Sequence, residues 1–309
     1  MKDLIAVVGP TATGKTEYAI QLAERLGGEI VSCDSMQLYK FMDIGSAKPS
    51  EEERRKVRHY LVDEIDPRTP FSVVQYQRMA KQAIQEIYEK GKLPILAGGT
   101  GLYLNSILYE MDFSAPPADN GYRERLQEIA QREGKEVLHR MLAEKDPQAA
   151  ARIHPNNTKK IIRALEAAET AGQGIRPFSE ANRPCPDYHP FLIGLTRDRE
   201  ELYDRINRRV LLLMEQGLLE EVDRLLAMGL TEEHISMKGI GYKELIEYRN
   251  GKWDLETAIA KIQQNTRHYA KRQLTWFRRY DKIKWFNLSC YESRERAIED
   301  MMAWIKVRT

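Results

Sequence analysis

Residues 9–16 read Gly9-Pro10-Thr11-Ala12-Thr13-Gly14-Lys15-Thr16, and this octapeptide matches G-x-x-x-x-G-K-[ST] at every fixed position. The apolar run 4–8 precedes it, and 15–26 follows with apolar residues at helical spacing. A strand, a glycine turn and a helix N-terminus form a phosphate cradle, because backbone N–H groups and the helix dipole converge on an anion. We therefore predict that this P-loop binds a di- or triphosphate, with Lys15 on a phosphate and the Thr16 hydroxyl on a phosphate-bound Mg²⁺.

The first third of the chain alternates short apolar runs with helical patterns. Residues 28–32 and 93–97 are typical of buried strands, and 72–89 has the spacing of an amphipathic helix. Such alternation predicts an α/β fold of the P-loop NTPase-like type, a parallel sheet flanked by helices. Ligands of such sheets bind beyond the carboxyl ends of the strands. The P-loop, the segment after Ser32 and the glycine turn 98–101 should therefore meet at one pocket.

A change of composition divides the chain. Residues 114–121 read as a linker, the following residues have a helical pattern to about Gly172, and a proline-rich stretch leads to an apolar strand at 191–195. We predict a P-loop core domain formed by 1–113 and 191–309, with an all-helical insertion domain at 114–190. Within the second part of the core we expect helices at 199–228, 255–280 and 291–306, and a strand at 284–288.

The composition is that of an ordinary globular protein. The 309 residues are 30% charged and 42% hydrophobic, and the net charge is +2. No apolar run approaches the length of a membrane span. Because Met1-Lys2-Asp3 leads directly into a predicted strand, we expect no signal peptide. The three cysteines are far apart and fit neither a disulfide framework nor a zinc site. We expect a cytoplasmic protein with no membrane partner, and a monomer by default.

Asp34 follows the second predicted strand and faces the P-loop. A carboxylate there can ligate Mg²⁺ or act as a general base toward an acceptor. An Asp-Ser pair that only forms a turn is an equally frequent alternative at a strand end. The turn Gly98-Gly99-Thr100-Gly101 permits close backbone approach, but by itself a simple turn is the more frequent explanation.

Basic residues concentrate near the C-terminus. Between 261 and 280 the chain has no acidic residue, and basic side chains alternate with aromatic ones, a pattern that suits a nucleic-acid backbone and unstacked bases. A single stretch of this kind is more often a solvated helix face. Two further basic clusters, at 159–163 and 205–209, favour an RNA or DNA partner despite the small net charge.

The P-loop alone leaves the bound compound open. No second strand ends in a Walker-type Asp paired with Glu, so the cradle fits a diphosphate leaving group as well as a nucleotide. A P-loop small-molecule kinase remains one alternative, and it would not need the basic C-terminal helix. A non-catalytic, GTPase-like RNA-binding module is another, but it should carry an N-K-x-D motif, which the sequence lacks.

Nine segments in the same order resemble the bacterial tRNA dimethylallyltransferases, also called isopentenyl-tRNA transferases. The resemblance covers nearly the whole chain, and motifs this long and numerous are highly specific. The segments are 9–16, 34–40 (DSMQLYK), 42–49 (MDIGSAKP), 59–63 (HYLVD), 98–103 (GGTGLY), 161–166 (IIRALE), 202–210 (LYDRINRRV), 239–244 (GIGYKE) and 272–277 (RQLTWF).

The resemblance implies a reaction and its participants. Such enzymes transfer a dimethylallyl group from dimethylallyl diphosphate to N6 of adenine 37 in the tRNA anticodon stem-loop. It further implies that the P-loop holds the diphosphate with Mg²⁺ and hydrolyses no ATP, that Asp34 takes or orients the N6 proton, and that Lys15, Thr16 and Arg209 offset charge on the leaving group. The positions that match tRNA contacts are Asp34, Ser35, Met36, Gln37, Thr100, Arg123, Lys159, Lys160, Ile161, Ile162, Arg163, Arg272, Gln273, Trp276 and Arg278.

Two departures from the family pattern are visible. Lys159 and Lys160 stand where at least one arginine is expected, which keeps phosphate attraction but loses bidentate contact. Eukaryotic relatives carry a C-terminal zinc finger, and this chain has no Cys/His cluster that would form one.

Overall fold

Six strands form one parallel sheet in the computed structural model, which describes residues 1–111, 120–171 and 183–307. Their order across the sheet is β3-β2-β4-β1-β5-β6. The central strands are continuous apolar runs because helices cover both faces of a parallel sheet. The predicted α/β fold is confirmed. The strands are β1 (Lys2–Val8), β2 (Gly28–Ser32), β3 (His59–Tyr60), β4 (Leu93–Gly98), β5 (Tyr188–Thr196) and β6 (Lys284–Asn287).

Thirteen α-helices lie within the described ranges. Local signals explain many of their ends; Ser72, for example, forms a capping box with Gln75 at the start of the third. The helices are α1 (Lys15–Leu26), α2 (Glu51–Lys56), α3 (Val73–Glu89), α4 (Gly101–Leu108), α5 (Asn120–Arg132), α6 (Lys135–Lys145), α7 (Pro147–Arg152), α8 (Thr158–Ala171), α9 (Arg199–Glu215), α10 (Leu218–Ala227), α11 (Tyr242–Arg249), α12 (Leu255–Phe277) and α13 (Arg294–Lys306).

One helix and one short strand of the structure differ from what the sequence pattern predicts. The single helix expected at 199–228 is two helices, because Gly217 adopts a left-handed conformation (φ 96°) and begins α10 on a new axis. The two-residue strand β3 was not predicted, since it is too short to show a period. It pairs with β2 through His59 and Tyr60, and the Tyr60 phenol donates a hydrogen bond to buried Glu29 (2.9 Å).

The chain divides into two compact units. The first is Met1–Leu108 with Cys185–Thr309, and the second is Tyr109–Pro184. Residues 188–190, which were predicted in the insertion, lie in β5, because the strand pairs with β1 from Tyr188 onward. The predicted linker 114–121 and the proline-rich stretch fall largely outside the described residues.

The second unit is helical and has its own core. Helices α5 to α8 bury apolar side chains against one another, including Leu126, Leu138, Leu142, Ile161 and Leu165. The chain leaves the first unit after α4 and returns to it at β5. The inserted helical unit buries its own apolar surface. Across the described ranges, no helix combines the length and the apolar character needed to cross a bilayer.

Candidate functional site

The P-loop is a preformed cradle at the carboxyl end of β1. Gly9 has φ 150°, and a Cβ there would stand 2.3 Å from the Leu195 carbonyl oxygen, so only glycine fits. The Thr13 hydroxyl (2.9 Å) and the Lys15 ammonium (2.8 Å) both donate to the Pro10 carbonyl. These bonds shape the loop at the start of α1. The first N–H groups of a helix have no partner within the helix and can bind an anion.

The ends of β2 and β4 are fastened to each other beside this loop. The Cys33 N–H donates to Ala97 O (2.8 Å), and the Thr100 N–H donates to Cys33 O (3.0 Å). The backbones are so close that a Cβ on Gly98 would lie 2.1 Å from Cys33 O. Glycine is therefore required at 98 because the end of β4 passes too close to the end of β2 for a side chain to fit.

Asp34 is held at the edge of this junction. Its Oδ1 accepts the Met36 N–H (2.9 Å), and the neighbouring Ser35 N–H donates to the Thr100 hydroxyl (3.1 Å). Gln37 accepts a hydrogen bond from the Ser32 hydroxyl (2.8 Å). The turn-forming role and the chemical role weighed for Asp34 are thus compatible, because the turn bond engages one oxygen and orients the carboxylate.

Two cavities meet at Asp34 and Arg209. The first, of about 420 Å³, is largely polar and includes Lys15 and Thr16 in its wall. The second, of about 480 Å³, has mainly apolar walls. Five residues line both: Thr11, Asp34, Ser46, Arg209 and Tyr269. A substrate with an anionic end and an apolar part can therefore span the two spaces past one carboxylate.

The charged groups at this junction, Lys15, Asp34 and Arg209, are half-buried. Burial is the largest cause that lowers the pKa of Lys15 to about 8; Asp34 opposes this and the Arg209 charge adds to it. Burial also lowers the pKa of Arg209, again opposed by Asp34. Two desolvated cations beside a single carboxylate favour a bound anion, which would offset the excess positive charge.

The first cavity contains oxygen atoms that are suitable ligands for a magnesium ion. The Thr16 hydroxyl and the Asp34 carboxylate both line it. Mg²⁺ prefers oxygen ligands and is usually held by one or two protein groups together with substrate phosphates and waters. The described residues contain no group of three or more His, Cys, Asp or Glu that would hold a metal by themselves. A magnesium ion here would depend on oxygens of the bound substrate.

Gln273 lies between α12 and the P-loop. It was predicted to contact tRNA, but it is 5% exposed. Its Oε1 accepts the Thr11 N–H (2.9 Å), and its Nε2 donates to Gly99 O (3.0 Å). Gln273 therefore links α12 to the P-loop and to the glycine turn, and its contact with tRNA stays a prediction.

Gln273→Ala should weaken anion binding at the P-loop. The change leaves the Thr11 N–H and the Gly99 carbonyl buried without partners, at a cost of about 1–3 kcal/mol for each group. We expect the affinity for inorganic diphosphate, measured by calorimetry, to fall by about tenfold. The matched control is Gln263→Ala on the same helix, where the lost bond is to Asn207 O (3.2 Å). Equal diphosphate affinity in the two variants would contradict the linking role.

The other predicted residues of α12 differ in exposure. Arg272 and Arg278 are exposed, and Arg272 also lines the second cavity. The Trp276 indole covers Gly101, where a Cβ would come within 2.2 Å of the ring. Trp276 thus packs onto the start of α4, which limits the ring surface that a base can stack on.

In the second unit, the predicted basic cluster is split by burial. Lys159, Lys160 and Arg163 are exposed, whereas Ile161 and Ile162 are buried in the core of the unit. The helical spacing of apolar residues at 161, 162 and 165 was the signal that could have shown this burial. That these residues contact tRNA stays a prediction. Arg123 forms a two-pronged ion pair with buried Glu166 (2.6 and 2.7 Å).

Comparison with known proteins agrees on one family. A family model described as IPP transferase matches residues 37–280. The tRNA dimethylallyltransferase of Alkaliphilus oremlandii is 52% identical over 96% of this chain and 95% of its own length. The tRNA dimethylallyltransferase of Clostridioides difficile is 48% identical over 98% of this chain and 97% of its own length.

Solved structures show the same likeness. A tRNA isopentenylpyrophosphate transferase from Bacillus halodurans has a TM-score of 0.76 and 43% identity, over 99% of this chain and 96% of that one. A eukaryotic dimethylallyltransferase acting on tRNA has a TM-score of 0.84 and 26% identity, over 100% of this chain and 81% of that one.

Proposed function

The chain belongs to the IPP transferase family, and we propose that it transfers a dimethylallyl group from dimethylallyl diphosphate to N6 of adenine 37 of tRNA, with release of diphosphate. The observation that carries the proposal is the position of Asp34 and Arg209, which lie between a polar cavity at the P-loop and an apolar one. An allylic diphosphate has an anionic end and an apolar end joined at the reacting carbon. The two cavities match these two ends.

The polar cavity suits the leaving group. When the allylic C1–O bond breaks, positive charge develops on the prenyl group and negative charge on the diphosphate. N–H groups at the start of α1, the Lys15 ammonium and the Arg209 guanidinium are the donors that would stabilise that negative charge. A magnesium ion held through Thr16 would neutralise part of the diphosphate charge. No ATP is consumed in this scheme, in agreement with the lack of a Walker-type Asp-Glu pair.

Asp34 suits the acceptor side. The exocyclic amine of adenine is a weak nucleophile because its lone pair is conjugated with the ring. As the N6–C1 bond forms, one N6 proton must leave, and the Asp34 carboxylate accepts it before passing it to solvent. The base must first leave its stack, which costs a few kcal/mol in a duplex and less in a loop.

The experiment that tests the function is the transfer of label from dimethylallyl diphosphate to an anticodon stem-loop with adenine at position 37. The control is the same stem-loop with guanine at that position. Incorporation that depends on both adenine and Mg²⁺ supports the proposal. No incorporation, together with ATP consumption when a small acceptor is added, would favour the kinase alternative.

The exposed basic residues should contribute to tRNA binding through phosphate contacts. Arg272→Ala and Lys159→Ala each remove one exposed cation. If each cation contacts one phosphate, the slope of log K against log salt should fall by about 0.7–0.9. Filter binding of the stem-loop and of whole tRNA at several salt concentrations measures this slope. Arg296→Ala, on α13 and outside the three basic clusters, is the control; a slope equal to the control would remove that residue from the interface.

A further inference from the structure

The segment Asp43–Lys48 forms part of the wall around the P-loop, although nothing above assigns it a role. Ser46, Ala47 and Lys48 line the polar cavity, and Gly45 and Ser46 line the apolar one. A third space, on the outer side of the P-loop, is lined by Asp43, Ile44, Ala47 and Lys48. The position of this segment therefore sets the width of the space in which a diphosphate would lie.

The backbone of the segment is strained. Ala47 has φ 47°, and Phe41, just before the segment, has φ 66°. Residues other than glycine in the left-handed region cost of order 1–3 kcal/mol each and persist only where the surroundings hold them. The segment thus needs anchors from elsewhere in the fold.

The principal anchor is Glu221, which lies on α10 and is 1% exposed. Its Oε2 accepts the N–H groups of Asp43 and Ile44, both at 2.8 Å. Its Oε1 accepts the N–H of Gly45 (3.0 Å) and the hydroxyl of Tyr242 (2.8 Å). Four donors offset the cost of burying the carboxylate, and three of them are consecutive N–H groups of the segment.

Tyr242 locks this arrangement from the other side. It is fully buried, and its ring lies against Gly45, where a Cβ would come within 2.5 Å of the ring. The ring cannot turn away without opening the core formed by α9, α10, α11 and α12. Gly45 therefore has room for no side chain, and the segment can take only one position against Glu221 and Tyr242.

Lys48 ties the far end of the segment. Its ammonium donates to Asp43 (2.7 Å) and to Asp63, and Asp63 also accepts from Arg54 (2.7 Å). Because two carboxylates already neutralise Lys48, its charge stabilises the segment more than it attracts a ligand. The segment is thus held at both ends, and Ser46 between them lines both cavities, as Asp34 and Arg209 do.

We propose that Glu221 is a positioning residue that holds Asp43–Lys48 as a wall of the donor site, and so sets the affinity for the diphosphate end of the donor substrate without contacting it. The proposal rests on the proposed function for the identity of that substrate. It assigns Glu221 no part in tRNA binding, since its four partners, Asp43, Ile44, Gly45 and Tyr242, are not among the residues that match tRNA contacts.

The test is Glu221→Gln. Glutamine has the same shape, but one oxygen becomes an amide NH₂, which cannot accept a hydrogen bond, so donors of the segment or of Tyr242 lose their partner. We expect the dissociation constant of inorganic diphosphate with Mg²⁺ to rise by about tenfold or more. The dissociation constant of the tRNA stem-loop should change by less than about twofold, and KM for dimethylallyl diphosphate should rise more than kcat falls.

The matched control is Glu29→Gln. Glu29 is also a buried carboxylate (4% exposed) and accepts hydrogen bonds from Tyr60, Lys90 and Lys92, all outside the two cavities. It should lose a similar amount of thermal stability and keep its diphosphate affinity. If Glu221→Gln weakens diphosphate and stem-loop binding equally, or leaves diphosphate affinity at the value of the control, the positioning role is wrong.

Two milder variants keep the test decisive if Glu221→Gln does not fold. Tyr242→Phe removes one of the four donors, and Gly45→Ala displaces the segment while Glu221 stays intact. Both should weaken diphosphate binding selectively, and unchanged affinity in both would overturn the proposal. The readout is separate from catalysis: wild-type protein that binds diphosphate without prenyl transfer would contradict the proposed function and leave the positioning role standing.

Discussion

Asp34→Asn is expected to reduce the turnover of prenyl transfer by about 10²–10⁴-fold, the usual contribution of a positioned general base. The asparagine oxygen can still accept the Met36 N–H, so the turn is retained and only the ability to take a proton is lost. Asp34→Ala should lose turnover as well, and in addition weaken the turn. Affinity for the stem-loop should remain within about twofold of wild type for the asparagine variant, because phosphate contacts supply most of that affinity.

Single-turnover kinetics with labelled dimethylallyl diphosphate measure the effect of Asp34 directly. The control is Asp66→Asn, since the Asp66 Oδ1 also accepts an N–H two residues later, from Arg68 (2.9 Å), but lies outside both cavities. It should be kinetically silent. Near wild-type turnover in Asp34→Asn would show that the base assignment is wrong and that Asp34 serves the turn alone.

Arg209→Met should lower kcat/KM for dimethylallyl diphosphate by about 10²–10³-fold, the range found when one fixed donor to a developing negative charge is removed. Methionine keeps much of the length and apolar stem of arginine, so the core around α9 should stay packed. The loss has two parts, weaker binding of the diphosphate and less stabilisation of the charge that grows on it. Arg209→Lys should recover only part of the loss, because lysine offers no bidentate fork.

The neighbouring Arg208→Met is the matched control for Arg209. Arg208 lies on the same helix, is 70% exposed and pairs with Asp204. It lines only the open space outside the P-loop, whereas Arg209 reaches all three cavities. Similar losses in the two variants would mean that general positive charge, and not the guanidinium of Arg209 in the site, assists departure of the diphosphate.

Where a motif is short and local, the sequence was sufficient. The octapeptide 9–16 contains the strand end, the turn and the helix start within eight residues, so its conformation depends little on distant parts of the chain. The strands at 28–32 and 93–98 and the helix starting after Ser72 also carry local signals, namely continuous apolar runs and a capping box. For the same reason the sequence predicts that Asp34 lies beside the P-loop.

The sequence pattern did not show which side chains of a helix face the core and which face solvent. Arg272 and Gln273 are neighbours in one basic, aromatic stretch, yet the first is exposed and the second is buried against the P-loop. Consecutive residues of a helix point about 100° apart, so their environments depend on which face of α12 meets the sheet. Ile161 and Ile162 are a second example. The resemblance grouped them with basic neighbours, but the two isoleucines are buried while those neighbours are exposed.

The amino-acid sequence by itself determined the phosphate cradle, the parallel sheet and the carboxylate beside it, because each follows from residues adjacent in the chain and from strand ends that must share one edge. Only the tertiary structure decided which distant side chains complete the site. Glu221 accepts hydrogen bonds from backbone N–H groups that are 176 to 178 residues away in the sequence. Gln273 accepts the Thr11 N–H, which is 262 residues away. Such pairs have no spacing that a sequence pattern can reveal, since they form only when packing of the whole core brings the helices together and makes each buried polar group find a partner.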